Sequence, residues 1–159
     1  MRVATADDWA ALWPIWHETV AAGESYTYAQ DTDQEAARRS WLLPAPAEVW
    51  LGYDDSAVVG TYQLKPNQPA LGSHVANASY MVASSARGRG VGRALGEHSL
   101  DRARALGFRA MQFNAVVATN TAAVALWRSL GFEVVGTVPG AFNHSRLGYV
   151  DLLVMHRFI

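Results

Sequence analysis

The sequence predicts an α+β domain in which helices flank one mixed β-sheet, in the order α-α-β-β-β-α-β-α-β-β. Two observations carry this prediction. Apolar residues recur at helical spacing in some segments, whereas short apolar runs bounded by Gly, Pro and Asp, typical of strands, occupy others. A chain of 159 residues can bury a sizeable core and contains no long linker, so we expect one domain over residues 1–159.

The amino-terminal half is predicted to form two helices and a hairpin. Apolar side chains at helical spacing predict a helix over residues 5–22, which Gly23 ends, and a second helix covers residues 33–43. The runs EVWLGYDD (48–55) and AVVGTYQL (57–64) predict two strands joined by a polar turn. The stretch KPNQPALGSH that follows predicts a loop.

The carboxy-terminal half alternates strands with helices. A strand over residues 76–83 leads into a glycine-rich turn and then a helix, which Gly107 ends. The predicted inward stripe of that helix consists of Val91, Leu95, Ser99, Ala103 and Leu106. A helix over residues 121–130 and strands over 133–138 and 149–156 follow.

The strand predicted over residues 110–117 separates two faces, because side chains alternate along a strand. One face carries Met111, Phe113, Ala115 and Val117. Asn114 therefore points to the opposite face.

Charge and composition exclude several classes of function. With 13 basic and 14 acidic residues the formal net charge is −1, which gives no basic field for nucleic acid or a membrane. The absence of cysteine excludes disulfides, a thiolate zinc site and a cysteine nucleophile. His74 and His98 have no partner at metal-ligand spacing, so we expect no metal. Without a signal-like or long apolar run, we expect a cytoplasmic enzyme or binding domain.

The stretch ARGRGVGRAL, from Ala86 to Leu95, concentrates glycine and arginine between a predicted strand and a predicted helix. A glycine-rich turn that opens a helix directs backbone N–H groups and the positive end of the helix dipole at one point, which suits a phosphate or pyrophosphate. Arginine side chains would add charge at the rim. The residues expected to hold the anion are Arg87, Gly88, Arg89, Gly90, Val91, Gly92 and Arg93.

The spacing of this stretch excludes two common phosphate loops. A P-loop requires Gly-Lys followed by Ser or Thr, which is absent. A dinucleotide-binding fingerprint that starts at Gly88 requires Gly or Ala where Arg93 stands, and one that starts at Gly90 fails at Leu95.

The spacing that fits is Arg-x-x-Gly-x-Gly, as Arg87, Gly90 and Gly92. It resembles the acetyl-CoA pyrophosphate loop of the GCN5-related N-acetyltransferase (GNAT) family. A second block, NTAAVALWRSLGF at residues 120–132, resembles that family's downstream segment. The resemblance implies a GNAT-like mixed sheet that is splayed at its centre, and transfer of acetyl from acetyl-CoA directly to an amine in a ternary complex. It also implies a homodimer.

The resemblance places the chemistry at the strand before the loop. A backbone N–H around Met81 or Val82, where the family's strand bulges and splays, would face the thioester carbonyl oxygen as it gains charge. Many members carry a tyrosine, the presumed general acid, where this chain has Trp127, and an indole cannot protonate a thiolate. Tyr149, Tyr80 or water would replace it, or no acid is needed. Trp127 then serves as a packing residue beside the cofactor.

Three asparagines are expected around the acceptor. The combination NA…RGRGVG…FN…N…LW…LGF…G…P, which begins at Asn77, resembles a subgroup that includes the fungal acetyltransferases of L-azetidine-2-carboxylate and other proline analogues. By that resemblance Asn77 and Asn114 would hold or orient a small amino acid, and Asn120 would contact the pantetheine arm or the substrate. Two of them also have a structural interpretation, since Asn120 can cap a helix and Asn114 can bond the backbone of the splayed strands.

Two segments are expected to wall the acceptor pocket. The stretch GESYTYAQ (23–30) overhangs that pocket in the family, so Glu24, Tyr26 and Tyr28 would shape it. The stretch PGAFNHSRLGY (139–149) would form the other wall, with Phe142 and Tyr149 as its aromatic residues. The candidates for a general base are chosen by residue type alone and are Glu24, Asp31, His144 and Asp151.

The sequence leaves three functions open. The leading one is N-acetylation of a small-molecule amine or amino acid. The second is acetylation of a protein or peptide, which favours an open, acidic groove that the aromatic, charge-poor segments at 23–30 and 139–149 do not suggest. The third is a non-catalytic CoA-binding regulatory domain, which the missing tyrosine would permit.

Overall fold

The computed structural model describes residues 1–159, and its elements alternate along the chain as predicted. The helices are α1 (Trp9–Ala21), α2 (Gln34–Trp41), α3 (Val91–Ala105) and α4 (Thr121–Ser129). The strands are β1 (Arg2–Val3), β2 (Glu48–Asp54), β3 (Ala57–Pro66), β4 (Val75–Val82), β5 (Ala110–Val117), β6 (Glu133–His144) and β7 (Gly148–Phe158). No helix is both long and apolar enough to cross a lipid bilayer.

One sheet of seven strands runs through the molecule in the order β1-β2-β3-β4-β5-β7-β6. All neighbours are antiparallel except β4 and β5, which are parallel. These two strands pair only at Val75 with Ala110 and at Ala76 with Met111. Beyond those pairs they diverge, so the sheet is split at its centre. The predicted mixed, centrally splayed sheet is therefore confirmed.

Two apolar cores cover the two faces of the sheet. On one face α1 and α2 pack through Leu12, Trp16 and Trp41 against β2 and β4. On the other face α3 and α4 pack through Leu95 and Trp127 against β3, β4 and β5. The split between β4 and β5 is flanked by both cores, which hold its two edges in place.

The amino terminus differs from the prediction at two points. The short strand β1, which pairs Arg2 with Leu51, was not predicted, because two residues carry no period. The first helix begins at Trp9 instead of residue 5. A 3₁₀ turn precedes it, in which the Asp8 carboxylate accepts the N–H of Thr5 at 2.7 Å.

Strand β6 is longer than predicted, since it runs to His144 and includes most of the segment between the two predicted strands. Pro139 and Gly140 suggested a break, but they lie where the pairing with β7 shifts, between Val138 and Phe142. β6 is also an edge strand, and a proline there does not remove a ladder hydrogen bond that a neighbour needs.

Three further expectations are wrong in detail. Leu106, predicted to face inward, caps α3 and is 43% exposed. Ala115 is exposed because the pairing of β5 with β7 shifts between Phe113 and Val116, which turns both Asn114 and Ala115 outward. The bulge expected in the strand before the glycine-rich turn is absent, since β4 pairs with β3 without a register shift.

Candidate active site

A cleft of about 780 Å³ occupies the split in the sheet. Its floor is formed by the diverging ends of β4 and β5. The start of α4 lies along one side, and the segment after α1 and the β6–β7 turn lie along the other. Most of the predicted site residues line this cleft: Glu24, Tyr26, Tyr28, Asn77, Met81, Val82, Arg87, Asn114, Asn120 and Trp127.

The glycine-rich turn presents a row of free backbone donors. Gly88 and Gly90 adopt left-handed conformations, with φ of 73° and 82°, and a Cβ on either would meet no protein atom within 4 Å. The hydrogen bonds of α3 begin at the N–H of Ala94, which donates to Gly90 O at 3.0 Å. The unpartnered N–H groups belong to Gly88, Gly90, Val91, Gly92 and Arg93. Such a row, at a helix start with open space before it, fits a pyrophosphate.

The three arginines of this turn are not equivalent. Arg89 forms an ion pair with Asp54 at the end of β2. Arg93 donates to Ser129 Oγ at 2.7 Å, and its guanidinium also lies 3.4 Å from the Glu97 carboxylate. Arg87 alone lines the cleft and has no side-chain partner in the protein. It is therefore the arginine most available to an anion, and the other two hold the turn against its neighbours.

Two glycines of α3 allow it to approach α4 closely. A Cβ on Gly92 would lie 3.3 Å from Leu126 Cδ2, and a Cβ on Gly96 would lie 2.7 Å from Leu130 Cδ1 and 3.2 Å from the Trp127 ring. Gly96 was missed in the sequence because a mid-helix glycine carries no signal of what it packs against. Gly92 thus serves packing as well as the turn.

Antiparallel pairing decides which amides of β4 face the cleft. The N–H of Ala83 donates to Val59 O at 2.9 Å, which extends the register in which Gly60 opposes Val82. Because donors alternate along an antiparallel strand, the N–H of Met81 points at β3 and the N–H of Val82 points into the split. Of the two amides expected to face the thioester carbonyl, only that of Val82 is directed at the cleft.

Trp127 and Asn120 lie on α4, on the side of the cleft nearest the turn. The Trp127 ring is 7% exposed and packs against the rings of Tyr80 and Phe113, with centroid distances of 4.7 and 4.8 Å. The Asn120 side chain caps α4 by accepting the N–H of Ala123 at 3.2 Å. Its oxygen is therefore committed, whereas its amide NH₂ donates to no protein group.

The tyrosines near the cleft keep their protons at neutral pH. Burial raises the pKa of Tyr26, Tyr28 and Tyr80 above the usual value. The Tyr26 hydroxyl donates to the carbonyl of Tyr80 at 2.7 Å, at the open edge of β4. The Tyr80 hydroxyl lies 2.7 Å from Ser99 Oγ, on α3. It is therefore engaged away from the cleft.

Asn77 and Asn114 already have protein partners. Asn77 donates to Gln112 O at 2.9 Å and thereby ties β4 to β5 where the ladder has ended. Asn114 donates to Asn67 Oδ1 at 2.7 Å and accepts from Gln112 Nε2 at 2.8 Å. The two amides do not bond each other.

Several predicted residues lie outside the cleft. Tyr149 is 78% exposed on β7 and is no part of the lining, so its hydroxyl cannot serve as the acid. Phe142 is buried in a small cluster with Val117 and Leu152 and does not line the cleft. Asp31 and Asp151 are also absent from the lining.

Contacts between residues 22–24 and 144–146 cross the split, and we call them the cross-cleft bridge. Ser145 donates its N–H to Gly23 O at 2.9 Å and its hydroxyl to Ala22 O at 2.8 Å. Arg146 pairs with the Glu24 carboxylate at 2.6 Å. The bridge closes one side of the cleft. Sequence reasoning missed Ser145 and Arg146, because their partners lie more than a hundred residues away in the chain.

His144 also lines the cleft, beside the bridge, and is 6% exposed. Its Nδ1 accepts the N–H of Arg146 at 3.2 Å. In the neutral ring this hydrogen bond assigns the proton to Nε2. Of the four bases suggested by residue type, Glu24 is the one that offers a carboxylate to the cleft.

Among curated proteins the chain resembles the N-acetyltransferase aca1 of Schizosaccharomyces pombe, with 34% identity over 113 residues, 70% of this chain and 54% of that protein. The chain thus spans about half the length of that relative. Among solved structures it resembles a GCN5-related N-acetyltransferase from Kribbella flavida, with 52% identity, a TM-score of 0.94 and coverage of 99% of this chain and 96% of that one.

Two more distant structures also match over 99% of this chain. A ribosomal-protein-alanine N-acetyltransferase from Brucella melitensis is 31% identical, with 98% of its chain covered and a TM-score of 0.86. A phosphinothricin acetyltransferase from Sinorhizobium meliloti, in complex with acetyl-CoA, is 25% identical, with 86% of its chain covered and a TM-score of 0.87. The model of the acetyltransferase (GNAT) family matches residues 9–132. The chain therefore belongs to the GNAT family, as an N-acetyltransferase whose acetyl donor is acetyl-CoA.

Proposed function

We propose that this enzyme acetylates the amine of a small molecule, such as an amino acid or a proline analogue. The observation that carries the proposal is the cross-cleft bridge. An extended peptide acceptor needs an open groove, whereas the bridge joins the two walls of the cleft on the side of α1 and α2. A compact amine fits in the cleft beside the bridge.

The donor side follows from the glycine-rich turn. The free N–H groups at the start of α3 would hold the pyrophosphate, with Arg87 beside them. Trp127 and the free NH₂ of Asn120 would line the path of the pantetheine arm. Acetyl-CoA supplies an activated acyl group whose thiol, with a pKa near ~8.5, leaves readily.

At the reacting centre the chain provides one backbone donor. The N–H of Val82 points into the split and would stabilise the charge that develops on the thioester oxygen. The Tyr26 hydroxyl donates to the carbonyl of Tyr80, which lies two residues before Val82. This hydrogen bond fixes the edge of β4 from which the N–H of Val82 projects. Ordering the amine and the thioester in one cleft supplies the rest of the acceleration.

None of the groups predicted as the general acid is placed to protonate the departing thiolate. Tyr80 is bonded to Ser99, Tyr149 lies outside the cleft, and the indole of Trp127 has no acidic proton. We infer that the thiolate leaves without a general acid from the protein. The acceptor amine must be neutral when it attacks, and Glu24 or water would take the protons that it loses before and after the attack.

A second candidate is acetylation of a protein amino terminus. It is favoured by one observation, the 31% identity to a ribosomal-protein-alanine N-acetyltransferase. A chain terminus could enter the cleft end-on, past the bridge, where an internal lysine of a folded protein could not. The two candidates differ in what lies beyond the amine, and an acceptor screen separates them.

The test is release of CoA thiol from acetyl-CoA in the presence of single acceptors. The panel contains amino acids, proline analogues, polyamines, aminoglycosides and peptides with a free amino-terminal alanine. We expect turnover with small amines and little with peptides. Turnover confined to the peptides would overturn the proposal and support the second candidate. The narrower relationship to proline-analogue acetyltransferases is tested by L-azetidine-2-carboxylate in the same panel. Cytoplasmic location and a homodimer stay predictions.

A further inference from the structure

We propose that Arg146 binds the carboxylate of the acceptor, so that the enzyme selects amino acids among small amines. This inference rests on the proposed function, because it concerns the acceptor half of the same cleft. Nothing in the sequence pattern pointed to Arg146. It emerges from the side chains that the cross-cleft bridge brings to the cleft wall.

Few charged side chains line the cleft. Glu24 is the only carboxylate among them, and the arginines are Arg87 and Arg146. Arg87 begins the glycine-rich turn and lies on the donor side. Arg146 therefore remains as the one guanidinium available to an acceptor, and its planar fork of donors matches a carboxylate in two parallel hydrogen bonds.

The position of Arg146 is fixed before any acceptor arrives. Its neighbour Ser145 is tied by backbone and hydroxyl hydrogen bonds to Gly23 and Ala22. The N–H of Arg146 itself donates to His144 Nδ1. An arginine on a tethered turn loses little conformational freedom when it binds a carboxylate, which favours affinity. The guanidinium itself is held only by Glu24.

The Glu24–Arg146 pair is weak enough to exchange. The two side chains are 39% and 74% exposed, and ion pairs of this kind contribute little to stability. An acceptor carboxylate can therefore replace Glu24 on Arg146 at low cost. The released Glu24 carboxylate then stays in the cleft, where it complements the positive end of the amino acid.

The charged residues of the cleft lining also predict which amines would bind poorly. A polyamine or an aminoglycoside brings several positive charges, and the single carboxylate of the cleft is already matched by Arg146. An amino acid brings one charge of each sign. The lining therefore complements a zwitterion and does not complement an amine with several positive charges.

The experiment compares acid and amide forms of the same acceptor. The probes are L-proline with L-prolinamide, L-azetidine-2-carboxylate with its amide, and L-alanine and L-leucine with theirs. For the wild type we expect kcat/KM to favour the acid form by about ten- to a hundredfold, as for a hydrogen bond between charged groups. Arg146→Gln should bring this ratio close to one, and Arg146→Lys should keep part of it.

Glu24→Gln is the matched control, because it breaks the same ion pair and leaves the arginine in place. We expect it to retain the preference for the acid form. If Glu24→Gln loses the preference as completely as Arg146→Gln, the effect comes from the broken bridge and the inference fails. Melting curves of all variants should be close to that of the wild type, since Arg146 is largely exposed.

The remaining outcomes separate this inference from the proposed function. If the wild type acetylates amides and simple amines as well as the acids, or if Arg146→Gln keeps the ratio, the carboxylate site is wrong and the small-molecule function stands. If only peptides are acetylated, or no acceptor is, the proposed function fails and this inference falls with it.

Discussion

Replacing Gly90 by alanine tests how the cofactor is held. Gly90 has a φ of 82° and precedes α3, and a Cβ there would project into open space beside the free N–H groups of the turn. The chain supplies a matched control at the other end of the same helix. Gly107 has a φ of 81°, and its Cβ would also meet nothing within 4 Å, but it follows the carboxy-terminal end of α3, far from the free N–H groups at the start of that helix.

The two substitutions should cost the same stability and differ in binding. An L-residue in the left-handed region costs roughly 1–2 kcal/mol, and no clash adds to this at either site. For a domain of this size the melting temperature should fall by about 2–8 °C in both variants. At position 90 alone the methyl group would stand where phosphate oxygens must approach the backbone. Losing one charge-assisted hydrogen bond weakens binding about ten- to a hundredfold.

Calorimetric titration with CoA measures this difference directly, without knowledge of the acceptor. We expect Gly107→Ala to bind CoA as the wild type does and Gly90→Ala to bind it at least tenfold more weakly. Equal affinity of the two folded variants would refute the assignment of the pyrophosphate to this turn. Gly92→Ala is a poorer test, because its Cβ would press on Leu126.

Three other substitutions have defined outcomes. Asn77→Ala leaves Gln112 O without its partner, so the melting temperature should fall by about 2–8 °C. Acetylation should weaken, whereas calorimetry should find the affinity for CoA unchanged. An unaltered melting curve would contradict the tie between β4 and β5. Trp127→Phe should lose stability, since the indole is packed, and keep most of its turnover per folded molecule; a collapse of kcat with normal CoA binding would reveal a role for the indole N–H. Glu48→Gln removes a carboxylate whose pKa Arg102 holds below the usual 4.5. That stabilisation is complete above pH 4.5 and is lost as the pH falls through the folded-state pKa, so the difference in melting temperature from the wild type should be largest near neutral pH and shrink in acid. A difference that persists unchanged in acid would contradict it.

The conformation of the glycine-rich turn could be predicted from the sequence because it is determined locally. Gly88, Gly90 and the start of α3 are contiguous, and the backbone they require is one that glycine alone adopts readily. The helices and most strands were likewise predicted by their own periodicity. The length of β6 was not, because only its place at the edge of the sheet makes Pro139 tolerable.

The acceptor side of the cleft was predicted less well, because its geometry depends on distant pairs. Asn77 was expected to face the acceptor, and its bond to Gln112 depends on where the β4–β5 ladder ends. Tyr149 and Phe142 were placed in the wall by their position in the segment 139–149. Phe142 is instead buried on β6, and Tyr149 is exposed on β7. Arg146 became visible only through its partner across the split.

The cross-cleft bridge lies apart from the packing that stabilises the fold. Its hydrogen bonds and ion pair link residues 22–24 to residues 145–146, and none of these side chains belongs to either core. Substitutions there alter the wall of the cleft at little cost in folding free energy. Gly96, by contrast, lies on α3 where that helix contacts α4, and it tolerates no added atom without a shift of its neighbours. Under the proposed function, a change of acceptor therefore needs only the exchange of a few exposed residues at two turns, and the glycine-rich turn remains unaltered.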